Sequence, residues 1–248
     1  TSIETLTTAA SKELTLTLGA EAAEAGIATI TYAGNAAETL TVGSGFTNDL
    51  KVTLKAEAAN SITATNYTKD LNVELTGAIG DDHAQTIKGG SGTTTVTYTQ
   101  ADADDIFNVT GLTKVDKIII KEDTTGTTDT TSITLGDANV ADGASLTIDA
   151  SSMSVDDITV VLSAEKDGAV TVIGSATADL ITASASDLGD NLQGGGGNDT
   201  FTFATADLTS IDTVTGGAGT DILTFSDAAT VVDADFTLIT GVEELNGY

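Results

Sequence analysis

The sequence predicts an all-β fold, a parallel β-solenoid built from tandem modules with short corner helices. Segments that alternate apolar residues with Thr or charged residues recur about every ten residues, with Gly, Asn or Asp between them. Parts of the chain also repeat in the same order. The 248 residues contain no Pro and only 4% aromatic residues. A stack of rungs suits this composition, because small branched side chains fill its interior and each rung donates backbone N–H groups to its neighbours.

The individual elements follow from local patterns. Typical strand segments are ELTLTL, IATITY, LKVTLKA, LNVELT, TTTVTYT, KIIIK, DITVVL and DTFTF. Helical patterns are confined to AEAAEAG (20–26) and TQADADDIF (99–107), which are long enough for corner helices but not for a helical layer. Residues 115–241 carry no hairpin signals between their strands, so we expect neighbouring strands there to be parallel.

Internal repeats predict two modules, 1–114 and 115–241, and the start of a third at 242–248. The related segments SIETL, KVDKI and GVEEL mark the module starts, and DIFNVTG (105–111) parallels DFTLITG (235–241). ITLGDANVADGASLTIDAS (133–151) likewise parallels LTLGAEAAEAGIATITYAG (16–34). Since Thr1 lies within a strand-like segment, we expect the chain to be a piece of a longer protein.

The charge narrows the range of partners. Nine basic and 37 acidic residues give a net charge of −28, which repels nucleic acid and anionic membranes and attracts cations. Salt adaptation or simple solubility is the alternative explanation. No apolar run is long enough to span a membrane, so we expect no transmembrane segment. The absence of Cys excludes disulfides and thiolate metal sites.

One nine-residue pattern occurs twice in full, in GGGGNDTFT (194–202) and GGAGTDILT (216–224). Each copy has Gly at positions one, two and four, Asp at position six and a large apolar residue at position eight. Two degenerate copies, ASDLGDNLQ (185–193) and DLTSIDTVT (207–215), keep the Asp and the apolar residue without the glycines, and GSATADLIT (174–182) keeps Asp179 and Ile181. Ordinary Gly-Asn-Asp turns are the alternative interpretation.

The pattern resembles the RTX family of glycine-rich nonapeptide repeats. The resemblance implies a parallel β-roll in which the first six residues of each repeat form a turn that holds Ca²⁺ between stacked turns. Ca²⁺ takes six to eight oxygen ligands, and glycines allow backbone carbonyls to point at the ion while the Asp supplies charge. The predicted calcium ligands are Asp199, Asp221, Asp190, Asp212, Asp179, Gly195, Gly197, Asn198, Gly217, Gly219 and Thr220.

The spacing predicts how these aspartates are distributed. Asp199 and Asp221 are expected on one edge, where their two glycine turns share a cation, and Asp190 and Asp212 on the other edge. In the first module the stretch GGSGTTTVT (89–97) has Thr94 where the Asp would stand. We therefore expect that turn to be structural and the first module to be poor in calcium.

The wider modules resemble large bacterial surface-layer proteins and repeat adhesins exported by type I secretion. This resemblance implies a secreted, calcium-dependent structural protein at the bacterial cell surface, which self-assembles into a lattice or filament. Cell-surface polysaccharide is a further expected partner. An adhesin stalk, or the secretion and folding domain of a larger RTX enzyme, are the alternatives that the sequence leaves open.

An enzyme is not expected from these residues. His83 is the only histidine and lies in a polar DDHAQ segment, and neither Gly-x-Ser-x-Gly nor His-Glu-x-x-His occurs. Adjacent acids such as those at 81–82, 104–105 and 156–157 point apart on a strand or turn, which disfavours a pair of catalytic carboxylates.

Overall fold

The computed structural model describes residues 3–8, 13–77, 84–100, 105–122 and 128–247, and these residues form a parallel β-solenoid. Every strand pairing is parallel, which confirms the predicted fold class. The described part of the chain contains no helix that is long and apolar enough to cross a membrane.

The strands are short and follow one another along the whole chain. In chain order they are β1 (Thr5–Thr8), β2 (Thr15–Leu18), β3 (Thr29–Tyr32), β4 (Thr39–Val42), β5 (Leu50–Lys55), β6 (Ser61–Thr63), β7 (Leu71–Thr76), β8 (Thr86–Lys88), β9 (Thr94–Thr99), β10 (Asp105–Phe107), β11 (Gly111–Thr113), β12 (Lys117–Lys121), β13 (Thr130–Gly136), β14 (Ser145–Asp149), β15 (Asp157–Ala164), β16 (Ala169–Ile173), β17 (Leu180–Thr182), β18 (Asn191–Gly196), β19 (Thr200–Phe203), β20 (Thr213–Ala218), β21 (Ile222–Phe225), β22 (Ile239–Thr240) and β23 (Glu244–Asn246). The corner helix α1 spans Ala20–Glu24, and a single 3₁₀ turn spans Asp233–Phe236.

The chain alternates between one large sheet and two smaller ones. The large sheet has eleven strands in the order β1-β3-β5-β7-β9-β12-β14-β16-β18-β20-β22. The smaller sheets contain five strands (β11-β8-β6-β4-β2) and seven strands (β10-β13-β15-β17-β19-β21-β23). We call the corners that leave the large sheet the first edge and the corners that return to it the second edge.

The core consists of aligned apolar columns between the sheets. Alternate residues are buried in strands such as β5, β7 and β9, as the period-two pattern predicts. In the large sheet one buried column follows the strand register without interruption: Ile30, Val52, Val73, Val96, Ile118, Ile148, Val172, Leu192 and Val214. Because Val96 pairs with Ile118, this column crosses the predicted module boundary at 114/115, and the module limits themselves stay a prediction.

The internal repeats differ in how closely their structures correspond. Residues 16–34 and 133–151 both run from a smaller sheet into the large sheet, and Gly26 (φ 85°) and Gly143 (φ 71°) both have left-handed backbones. The other pair does not correspond. DIFNVTG begins with β10 in the seven-stranded sheet, whereas DFTLITG begins with the last two residues of the 3₁₀ turn and contains β22 of the large sheet.

One predicted corner helix is present and the other is not supported. The segment AEAAEAG contains α1, whereas the last three residues of TQADADDIF form strand β10. Residues 101–104 of the second segment lie outside the described residues. The apolar Phe107 explains the strand, because it is buried in the core and stacks against Tyr98.

Candidate calcium centre

The two glycine-rich segments form stacked corners on the first edge. Residues 194–199 lead from β18 to β19, and residues 216–221 lead from β20 to β21. Gly195 pairs with Gly217, so the two corners are direct neighbours along the solenoid axis. The structure thus places the two complete copies of the motif on the same edge, as their spacing predicts.

Glycine is required in these corners for two reasons. Gly195, Gly197, Gly217 and Gly219 have φ values of 99°, 100°, 117° and 144°, a region that other residues rarely adopt. A β-carbon on Gly217 or Gly219 would also collide with the carbonyl oxygen of Gly195 or Gly197, respectively. The backbones therefore approach closely, and carbonyl oxygens of one corner are directed at the next.

The aspartates that end these corners form a hydrogen-bonded ladder. The backbone N–H of Asp179 donates to Oδ1 of Asp199 at 2.8 Å, and the N–H of Asp199 donates to Oδ1 of Asp221 at 2.9 Å. The N–H of Asp221 donates in turn to Oε2 of Glu243 at 2.9 Å. In each case the backbone N–H of the acidic residue in one rung fixes the carboxylate of the acidic residue in the next rung.

Asp199 and Asp221 each retain one carboxylate oxygen without a hydrogen-bond partner. Both residues are 0% exposed, and the Oδ2 atoms of both are buried and unpaired. The two ion pairs among the described residues, Lys51–Glu74 and Lys117–Asp149, involve other acids. Leaving a buried carboxylate oxygen unpaired is costly unless a cation or donor satisfies it.

The degenerate corner at 174–179 has the same shape but a different chemistry. Ser175 occupies the position of Gly195, and its N–H and its hydroxyl donate to Oδ2 and Oδ1 of Asp179 at 2.6 and 2.9 Å. Oδ1 also accepts the N–H of Ile158 at 2.9 Å. Both oxygens of Asp179 therefore have protein partners, so this corner offers less to a cation.

Asp190 and Asp212 lie on the second edge, as predicted, and are likewise satisfied by protein groups. Ser184 donates its N–H and hydroxyl to the two oxygens of Asp190 at 2.8 and 3.0 Å. Thr209 donates both groups to Oδ2 of Asp212, and Oδ1 of Asp212 accepts the N–H of Asp190 at 2.8 Å. A Ser or Thr in the corner thus replaces the function that a cation would have at Asp199 and Asp221.

The electrostatic environment raises the pKa values of three of these aspartates. Burial raises the pKa of Asp199 to about 7, with the charges of Asp179 and Asp221 adding to the shift, although the N–H of Asp179 opposes it. Burial also raises the pKa of Asp179 and of Asp190 to about 6, against the effect of their hydrogen bonds. Negative charge is therefore poorly compensated at Asp199 by the protein alone.

The remaining predicted ligands occupy the exposed rim of the corners. Oδ1 of Asn198 accepts the backbone N–H of Thr220 at 2.9 Å. This bond ties the two glycine corners together, so the Asn198 side-chain oxygen already has a structural role.

The glycine corners contain oxygen donors of the kinds that Ca²⁺ takes. Oδ2 of Asp199 and of Asp221 would supply charged ligands, and the carbonyl oxygens of the stacked glycines would supply neutral ones. The five predicted aspartates do not gather into one cluster. Among the described residues, the only group of three acidic or histidine side chains with ligand atoms within 4.8 Å of one another lies elsewhere.

The glycine corner of the first module lies on the opposite edge from 194–199. Residues 89–93 lead from β8 back to β9 of the large sheet, so GGSGTTTVT is not the structural equivalent of GGGGNDTFT. Its Thr94 N–H donates to Oδ2 of Asp116 in the following rung at 2.7 Å. His83 and the acids at 81–82 lie outside the described residues, as does the acid at 104.

The ladder of Asp179, Asp199, Asp221 and Glu243 on the first edge has a counterpart in the first half of the chain, which the sequence analysis did not predict. Glu38, Asn60 and Gln85 are buried at the same edge, and their side-chain oxygens accept the N–H groups of Leu14, Glu38 and Asn60. A signal existed, since each of these residues directly precedes a short strand. Corner lengths vary, so the spacing is 22 to 25 residues and hides the repeat.

No significant match to this chain was found among protein-family models, curated proteins or solved structures. The RTX resemblance therefore rests on the residues of the glycine corners themselves.

Proposed function

We propose that this chain is a calcium-stabilised extracellular structural protein, a component of a self-assembling surface layer or filament. The observation that carries the proposal is the pair of buried, unpaired Oδ2 atoms of Asp199 and Asp221, set beneath stacked glycine corners. Serine or threonine satisfies the corresponding carboxylates at the degenerate corners. A hard cation with oxygen ligands is the natural substitute where glycine stands.

Calcium binding would make the folding of the glycine corners depend on the free calcium concentration inside and outside the cell. Free Ca²⁺ is scarce inside cells, where like charges at Asp179, Asp199 and Asp221 repel one another. In a calcium-rich medium outside the cell, the ion would neutralise them and stabilise the folded state. This coupling is compatible with export by type I secretion followed by folding at the cell surface.

The surface charge supports calcium-dependent assembly. A net charge of −28 keeps copies of the chain apart, and divalent cations both screen such charge and bridge carboxylates of neighbouring molecules. The regular stack of parallel rungs presents the same spacing along its whole length, which suits side-by-side packing. Binding to cell-surface polysaccharide remains a prediction from the sequence.

An adhesin stalk is the second candidate, and one observation favours it. The eleven strands of the large sheet form one uninterrupted stack, which at the usual strand spacing gives a rod of roughly 50 Å. A rigid spacer of this kind needs no self-association. The secretion and folding domain of a larger RTX enzyme remains the third alternative.

Electron microscopy and analytical ultracentrifugation of the purified chain would test the proposal. The chain should be monomeric in EDTA and form ordered sheets or fibres on addition of millimolar CaCl₂. The double variant Asp199→Asn/Asp221→Asn should need more calcium to assemble, whereas Glu21→Gln/Glu24→Gln, which removes the same charge from α1, should behave like the parent. A chain that folds with calcium but stays monomeric would favour the stalk, and a chain indifferent to calcium would overturn the proposal.

A further inference from the structure

Three acidic side chains meet on the second edge, away from the glycine corners. Asp137 directly follows β13, Glu165 directly follows β15, and Asp167 lies two residues further in the same corner. These strands are neighbours in the seven-stranded sheet, with Gly136 opposite Ala164, so the two corners stack. One carboxylate oxygen of each residue lies within 4.8 Å of those of the other two.

Glu165 is the buried member of this cluster. Its side chain is 0% exposed, and Oε1 accepts the backbone N–H groups of Lys166, Asp167 and Gly168 at 3.0, 3.2 and 2.9 Å. Those bonds cap the corner and fix the carboxylate in place. The second oxygen, Oε2, is buried and has no hydrogen-bond partner.

Capping alone does not account for this arrangement. A cap needs one oxygen, whereas Oε2 of Glu165 is left buried and unpaired, and two further carboxylates each place an oxygen within 4.8 Å of an oxygen of Glu165. Like charges at this separation repel, and burial makes an unpaired carboxylate oxygen costly. Neither ion pair among the described residues, Lys51–Glu74 or Lys117–Asp149, supplies a counter-charge here.

We propose that Asp137, Glu165 and Asp167 bind one Ca²⁺ ion, which joins the corner after β13 to the corner after β15. Glu165 would be the fixed, buried ligand, and the exposed Asp137 and Asp167 would close over the ion from the solvent side. Water molecules would complete the coordination shell, as is common where protein ligands are few.

The chemistry of the cluster favours Ca²⁺ over other metals. All three ligands are carboxylate oxygens, which hard cations prefer, and the described cluster contains no nitrogen or sulfur ligand. Ca²⁺ also tolerates the irregular geometry of two corner loops, whereas Mg²⁺ requires near-octahedral ligands.

This site is independent of the glycine corners. It shares no residue with them, it lies on the other edge of the solenoid, and it precedes residues 174–224 in the chain. Its existence would mean that calcium orders rungs upstream of the glycine motif as well.

Isothermal titration of metal-stripped protein with CaCl₂ tests the proposal. Asp137→Asn/Asp167→Asn should bind one Ca²⁺ fewer than the parent chain, or bind that ion at least tenfold more weakly. Glu165→Gln should show the same loss, because the amide oxygen can still accept the three N–H groups while the charge is gone. The control Glu21→Gln/Glu24→Gln removes two exposed charges from α1 and should bind calcium like the parent.

Hydrogen exchange separates this site from the glycine corners. In the parent chain and in Asp199→Asn/Asp221→Asn, calcium should slow exchange at residues 166–168, at least tenfold relative to EDTA. The slowing should vanish in Asp137→Asn/Asp167→Asn, and MgCl₂ at the same concentration should produce little of it. Equal exchange at these amides with calcium and with EDTA in the parent chain, or a stoichiometry unchanged in Asp137→Asn/Asp167→Asn, would overturn the proposal.

Discussion

The backbone N–H of Asp199 donates to Oδ1 of Asp221 at 2.9 Å, which orients the Asp221 carboxylate from the preceding rung. The same bond leaves Oδ2 of Asp221 buried and unpaired, and Asp199 is arranged in the same way by the N–H of Asp179. The geometry thus divides each carboxylate into one oxygen used for the fold and one oxygen open to a cation.

Asp199→Asn/Asp221→Asn should abolish the part of the calcium stabilisation that comes from the glycine corners. Asparagine keeps an oxygen for the ladder bonds but lacks the charge that a calcium ligand supplies. If the site binds with a dissociation constant of about 10 µM, 1 mM Ca²⁺ stabilises the parent chain by about 2.7 kcal/mol. Thermal unfolding with and without EDTA measures this increment. Asp179→Asn should retain it, and a full calcium increment in the double variant would contradict the assignment.

In the absence of metal, stability should fall as the pH rises from about 4 to 7.5. Burial raises the folded-state pKa of Asp199 to about 7 and those of Asp179 and Asp190 to about 6, above the usual unfolded value of about 3.9. The folded chain therefore holds protons that the unfolded chain releases, and that stabilisation is lost as the pH passes through 6 to 7.

The slope should reach at most about 1.4 kcal/mol per pH unit for each group. Thermal melts in EDTA at pH 5 and pH 7.5 provide the measurement, with saturating calcium as the comparison. Calcium should stabilise the chain more at pH 7.5 than at pH 5, because it competes with protons for the same oxygens. Melting temperatures in EDTA that rise with pH over this range would contradict the prediction.

Gly219→Ala should destabilise the chain much more than Gly143→Ala. Both glycines have positive φ values, 144° and 71°, so both substitutions carry backbone strain. At Gly219 the added methyl group would also collide with the carbonyl oxygen of Gly197, whereas at Gly143 there is no atom within 4 Å. We expect a loss of about 3 kcal/mol or more at Gly219 and about 1 kcal/mol at Gly143 in urea unfolding. Equal losses would mean that Gly219 does not approach the carbonyl oxygen of Gly197 closely.

Ile118→Ala should lower the free energy of unfolding by about 2–5 kcal/mol, because it opens a cavity in the buried column between Val96 and Ile148. Ile119→Ala, on the outer face of the same strand, should cost about 1 kcal/mol or less. Denaturant unfolding followed by circular dichroism measures both. A biphasic curve in which Ile118→Ala shifts only one transition would indicate that the predicted modules unfold separately.

The fold was predictable because its rules are local. Alternation of apolar residues with Thr predicts the strands. Because a solenoid buries one side of its strands, the same alternation also predicts which residues lie in the core. The predicted strand TTTVTYT corresponds to β9, with Val96 and Tyr98 buried. The helix predicted over 99–107 was wrong for residues 105–107, which form strand β10. The burial of Phe107 outweighs the helical pattern of acids and alanines.

The candidate site was only partly predictable. Residue spacing placed Asp199 and Asp221 on one edge, since each coil returns to the same corner. Spacing does not reveal which carboxylate oxygens remain unpaired. That depends on the residue four positions before the Asp, which is Ser175 before Asp179 and a glycine before Asp199 and Asp221. Glu165 was missed because it meets Asp137 only through the stacking of the corners that follow β13 and β15, and sequence spacing does not show this contact.

The change of partner sheet between β10 and β11 has a mechanical consequence. Both strands belong to one rung, but β11 ends the five-stranded sheet and β10 begins the seven-stranded sheet. Across this rung the large sheet continues through the pairing of β9 with β12. Flexing the rod so that the two smaller sheets part would break none of their strand-to-strand hydrogen bonds. Among the described rungs, we therefore expect this one to bend most easily, because only the large sheet connects its two sides through strand pairing.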